Sequence, residues 1–66
     1  MTITVNGDAV QVPDQATVHT LVAQLRLTSV PCAVEVNQKL IPKSKHDTVE
    51  LHEGDTIEVV TLVGGG

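Results

Sequence analysis

Three glycines stand together as Gly64, Gly65 and Gly66, the last positions of the 66-residue sequence. Gly7 follows Asn6 and Gly54 lies between Glu53 and Asp55, where turns that need positive φ account for them. No turn accounts for a glycine with nothing after it. Three residues without side chains extend about 10 Å. They can also thread a channel too narrow for a Cβ and take backbone angles closed to other residues. At their end the Gly66 carboxylate has no bulk beside it. Such a group is a poor electrophile until a partner converts it to a mixed anhydride, for example with AMP. Once activated it can accept sulfur, giving a thiocarboxylate, or an amine, giving an amide. The chemistry is therefore expected at Gly66, with Gly64 and Gly65 as the segment that threads partner active sites. The plain alternative is a frayed end or a cloning scar.

Other reactive side chains form no comparable pattern. His19, His46 and His52 fall on a helix, a loop and a strand end, without another His or Cys at ligand spacing, so solvated histidines and no metal site are expected. Cys32 reads as a small apolar residue opening a buried strand, since no neighbouring basic residue in sequence would lower its pKa. Lys43 and Lys45 beside His46 read as a solvated loop edge. No Ser-His-Asp order, phosphate-binding loop or paired catalytic carboxylate can be argued.

The elements that position the tail must come from a small domain without Phe, Tyr or Trp. A chain of this length buries only roughly 60% of its unfolded surface. Its core must be aliphatic, which leaves little room for an enzymatic cleft. The net charge of −4, with neither basic stripe nor stacking aromatics, argues against nucleic acid as a partner. A single cysteine, no export signal and no apolar run of about 20 residues lead to the expectation of a cytoplasmic protein that does not enter membranes.

Thr2-Ile3-Thr4-Val5 alternates as a half-buried strand, Asn6-Gly7 marks a hairpin turn, and Ala9 to Val12 returns until Pro13. Val18, Leu21, Val22 and Leu25 then fall on one helical face, with Thr17 as N-cap and an end expected near Leu27-Thr28. His19, Thr20, Gln24 and Arg26 lie on the solvent side of that helix. Cys32 to Asn37 reads as a third strand, Asn37-Gln38 as a turn, and Lys39-Leu40-Ile41 as a short strand closed by Pro42. Lys43 to Thr48 is a loop or short helical turn, and Val49-Glu50-Leu51 a brief extended piece. Thr56 to Val63 is the last strand, with Ile57, Val59, Thr61 and Val63 on one face and Glu58, Val60 and Leu62 on the other. The order predicts an α+β domain over residues 1–63: a β-grasp, with a mixed sheet of about four to five strands wrapped around one helix. Residues 64–66 follow as a flexible tail.

This pattern resembles the small ubiquitin-like sulfur carriers, and most closely the ThiS-type carriers of thiamine thiazole biosynthesis. The resemblance rests on Val5-Asn6-Gly7, Ala16-Thr17-Val18 with Leu21, Val34-Glu35-Val36-Asn37 with Ile41-Pro42 and the basic Lys43, and Gly54-Asp55 leading through Ile57-Glu58-Val59-Val60 to Val63-Gly64-Gly65-Gly66. It implies a carrier rather than a catalyst, holding no cofactor of its own. An E1-like enzyme would use ATP to adenylate Gly66. A persulfide from a cysteine desulfurase or another donor would supply sulfur, and a thiazole synthase would take it from the thiocarboxylate. Val60, Leu62 and Val63, beside the tail, are expected to dock the activating enzyme, because a thin β-grasp has one open sheet face. A monomer is the natural state for such a shuttling substrate. A molybdopterin-synthase small subunit, a tRNA-thiolating or protein-conjugating modifier, and a plain interaction module remain as alternatives.

Overall fold

Asn6 and Gly7 both adopt positive φ, 51° and 88°, so two residues suffice to reverse the chain between β1 (Thr2–Val5) and β2 (Asp8–Gln11). Ile3 faces Val10 and Val5 faces Asp8 across this antiparallel pair. β2 lies one residue earlier than expected. Val12 falls just past it, buried, and its amide still donates to the Met1 carbonyl. The computed structural model describes residues 1–62.

Helix α1 (Val18–Gln24) starts where the sequence indicates. Its first three amides all have partners: Val18 donates to the Val49 carbonyl, His19 to that of His46, and Thr20 to the Thr17 hydroxyl. Thr20 answers by accepting from the Thr17 amide at 3.0 Å, so it closes a capping box instead of standing in solvent. The helix ends three residues before the expected Leu27. Arg26 adopts φ 63°, its amide donates to Ala23, and the Leu27 amide reaches back to Val22. This is a Schellman closure built on arginine where glycine is usual. Nothing in the residue type announces it.

β3 (Cys32–Val36) and β4 (Lys39–Ile41) form a second hairpin across Asn37 and Gln38, again both at positive φ. Pro42 ends β4, and a 3-10 turn covers Lys43–Lys45. The segment Val49 to Leu51 contributes one bridge, Glu50 to Thr17, and buries Leu51. β5 (Thr56–Thr61) is shorter than the expected strand, and Val63 lies outside the described residues.

Among the described residues the sheet has five strands in the order β2-β1-β5-β3-β4, with β5 at the centre, parallel to β1 and antiparallel to β3. One face packs against α1. Ile3, Val18, Leu21, Val34 and Ile57 are its most completely buried side chains, each worth about 1.5–3 kcal/mol of transfer free energy. The core is wholly aliphatic, as the composition requires. The arrangement is the expected β-grasp.

Both hairpin asparagines also hold β5. Asn6 Oδ1 accepts from the Val59 amide at 2.9 Å and its Nδ2 donates to the Val59 carbonyl at 3.1 Å. Its own amide donates to the Ile57 carbonyl. On the other flank, Asn37 Oδ1 accepts from the Thr56 amide, and Nδ2 donates to Asp55 Oδ1. Asn6→Ala removes two hydrogen bonds to a partly buried strand and a residue suited to positive φ, and should cost about 2 kcal/mol in urea denaturation. Arg26→Gly should instead stabilise the fold by about 0.5–1 kcal/mol, since glycine takes the left-handed angle without a Cβ penalty.

Candidate functional site

The path to the glycines runs through β5. Gly64, Gly65, Gly66 and the expected docking residue Val63 lie outside the described residues. Among the described residues, the last backbone hydrogen bond on that path is from the Leu62 amide to the Pro31 carbonyl at 2.8 Å. It anchors the end of the strand beside the entry to β3, where Cys32 faces Thr61.

Val60 and Leu62 are both about half exposed, at 58% and 52%. They do not share one regular face. Val60 points from the open side of the sheet, opposite Ala33. Leu62 follows the end of β5, so strand alternation no longer governs it. It borders a groove of about 400 Å³ together with Val22, Leu27, Pro31, Cys32 and Lys43. Leu40, on the open face opposite Glu35, is the most exposed large apolar side chain among the described residues, at 64%. Nothing in the sequence marks Leu40 as an outward apolar residue. A three-residue strand gives too little alternation to assign its outward side chain.

One row along the open face, Glu35 and Glu58 stand directly opposite each other on β3 and β5. Like charges in that register oppose pairing. Acidic and apolar side chains thus meet on the uncovered surface: Glu35 and Glu58 beside Leu40, Ala33 and Val60.

The histidines separate. His19 and His52 are exposed, as expected, but His46 is buried with 7% of its surface accessible. Its Nε2 donates to the Ile41 carbonyl at 3.1 Å, while its own carbonyl receives the His19 amide. The side chain therefore pins the 3-10 turn under the helix start. A polar sequence neighbourhood concealed this role, since Lys43, Ser44, Lys45 and Asp47 are all exposed. Cys32 is half-buried at the start of β3, close to the expected setting. Among the described residues no three potential metal ligands come together, and no helix is long and apolar enough to cross a membrane.

Comparison with known proteins places this geometry in a wider group. A family model described as the ThiS family matches residues 2–66. The sulfur carrier protein ThiS of Bacillus subtilis is 40% identical over 53 residues, covering 80% of each chain. A thiazole synthase of Paramagnetospirillum magneticum is 35% identical over all 66 residues, which span only 20% of that protein's length. The crystal structure of a thiamine biosynthesis protein, ThiS, from Geobacter metallireducens superposes with a TM-score of 0.80 at 28% identity, covering all of both chains.

Glu58→Gln relieves the cross-strand repulsion. It should raise stability by a few tenths of a kcal/mol at low salt, with the gain fading as screening shortens. Thermal unfolding at two ionic strengths measures both effects.

Proposed function

The chain belongs to the ThiS family of sulfur carriers of thiamine biosynthesis, and from that premise we propose that it carries sulfur on Gly66 as a co-substrate, not as a catalyst. The observation that carries this reading is the extent of the family match, which continues through residue 66 and so includes the whole glycine run. In this reading residues 1–63 form the carrying domain and 64–66 the threading tail. A Gly66 carboxylate oxygen attacks the α-phosphorus of ATP in an E1-like partner, and pyrophosphate leaves. The outer sulfur of a persulfide donor then attacks the carbonyl and AMP leaves, giving an acyl disulfide. A second thiol of the donor enzyme attacks the donor's inner sulfur, so that the S–S bond breaks, a donor disulfide forms and the Gly66 thiocarboxylate is released. The partner binds the ATP, and the carrier binds no cofactor. A need for ATP and a reduced sulfur donor fits the cytoplasm.

Thiazole synthase is the proposed acceptor of that sulfur. The relative from Paramagnetospirillum magneticum supports this, because a protein named thiazole synthase contains a segment similar to the whole of this chain. Val60, Leu62 and Val63 are proposed to dock the activating enzyme. The half-exposed apolar side chains of Val60 and Leu62 suit such a contact.

Intact-mass measurement after incubation with ATP, an activating enzyme and a sulfide source tests the chemistry. The expected product has one sulfur in place of one terminal oxygen, and it is lost when Gly66 is deleted. An unchanged mass under these conditions overturns the reading. Leu62→Glu should lower kcat/KM for adenylation about tenfold, equivalent to about 1.4 kcal/mol, without altering the urea midpoint. A loss of the midpoint instead would assign Leu62 to the fold.

A further inference from the structure

We propose that Asn6 is a site of slow self-modification: its carboxamide is lost to deamidation through a succinimide formed with Gly7, and the loss loosens β5. The inference is independent of what Gly66 carries.

Gly7 is the reactive neighbour. Ring closure requires the backbone nitrogen after an asparagine to reach Cγ, and a side chain on that next residue obstructs the approach. Glycine has none, and nothing lies within 4 Å of where a Cβ on Gly7 would stand. The Gly7 amide donates to no backbone carbonyl among the described residues. Both turn residues are exposed, so base and water reach them. Asn37, the other asparagine of the chain, supplies the contrast. It too has positive φ in a hairpin turn and bonds through both side-chain polar atoms. The residue after it is Gln38, whose side chain stands in the way.

The Gly7 nitrogen gives its proton to base and attacks Asn6 Cγ. A C–N bond forms, and the carboxamide nitrogen takes up a proton and leaves as ammonia. Water then adds to one carbonyl of the ring, the C–N bond at that carbonyl breaks, and the nitrogen regains its proton. Opening at Cγ gives aspartate; opening at the main-chain carbonyl of residue 6 gives isoaspartate. One water is consumed for each ammonia released, and nothing is oxidised.

The fold restrains the first step. Nδ2, the group that must leave, donates to the Val59 carbonyl at 3.1 Å, and Oδ1 accepts from the Val59 amide at 2.9 Å. Attack makes Cγ tetrahedral and expels Nδ2, which both bonds oppose. The reaction therefore runs from conformers in which the grip is open. The product cannot restore it. A carboxylate only accepts, so one oxygen keeps the Val59 amide while the other faces the Val59 carbonyl, acceptor against acceptor. Isoaspartate instead routes the backbone through Cγ and lengthens the turn.

The test ages the full-length chain at mildly alkaline pH, folded and in urea, and follows intact mass and peptide maps. Aspartyl and isoaspartyl product should collect at Asn6 ahead of Asn37, faster in urea than in the folded chain. Sub-denaturing urea should raise the folded rate. G7A, compared in urea where folding is not required, should suppress the product. In N6D, hydrogen-exchange protection of the Val59 amide should fall about tenfold, the equivalent of about 1.4 kcal/mol. The acidic fraction of the aged chain, separated by anion exchange, gives the same reading even where N6D does not fold. A folded chain that gains no acid at Asn6 while the chain in urea converts overturns the site. Equal rates at Asn6 and Asn37, or equal rates folded and unfolded, overturn the roles given to Gly7 and Val59 respectively. Wild-type protection at Val59 in the acidic fraction overturns the loosening of β5.

Discussion

The central strand is gripped from both sides by asparagine side chains, and most of the architecture depends on that grip. β5 pairs with β1 for only two residues, Thr4 with Thr56 and Val5 with Ile57. The chain then turns away at Asn6. Without a substitute, the Val59 amide and carbonyl would face a gap in the sheet, and unpaired backbone groups in a partly buried strand are costly. The Asn6 carboxamide fills that gap with one donor and one acceptor, imitating another strand residue. Asn37 supplies the matching amide acceptor for Thr56 across β5. The same residue type that tolerates positive φ in each hairpin thus also closes the centre of the sheet.

This dual use explains what could be read from residue order and what could not. The Asn6-Gly7 reversal, the Thr17 cap, the stop at Pro42 and the alternation of Ile57 and Val59 all follow from local rules, and the structure has each of them. Asn6 was legible as a turn former only, because its contact with Val59 spans more than fifty positions and no short-range pattern encodes it. The helix end was misplaced because Arg26 takes a backbone angle that glycine would have advertised. The burial of His46 is not legible in the sequence, because its exposed neighbours hide a contact made only once the chain past β4 folds back on Ile41. For the candidate site, the glycines at 64–66 gain meaning only from their place after an apolar last strand and from the family resemblance, while the separation of Val60 from Leu62 requires knowing that β5 stops at Thr61.

The uncovered surfaces differ in character. The open sheet face mixes Leu40 and Val60 with two facing glutamates. The groove between helix and sheet end is lined by apolar side chains such as Val22 and Leu27 together with polar ones, His19 and Lys43 among them. The rigidity of β5 draws on the hydrogen bonds that Asn6 and Asn37 make to it. The capping arrangement at α1 serves the same end. By using the Val18, His19 and Thr20 amides internally, it joins the helix to the segments around His46 and Val49.

The Asn6 grip on Val59 also makes the last stretch of chain a measuring rod with a fixed origin. Gly66 stands seven positions beyond Val59, a span of at most about 25 Å. Each residue added or lost after that origin would change that reach by up to about 3.4 Å, and within β5 it would turn the flanking side chains to the opposite side. Length and orientation cannot then be tuned separately. A partner whose recognition surface and reaction centre lie a set distance apart would sense both errors at once. The chain could therefore drift in composition across much of its surface while the interval from 59 to 66 stayed constant.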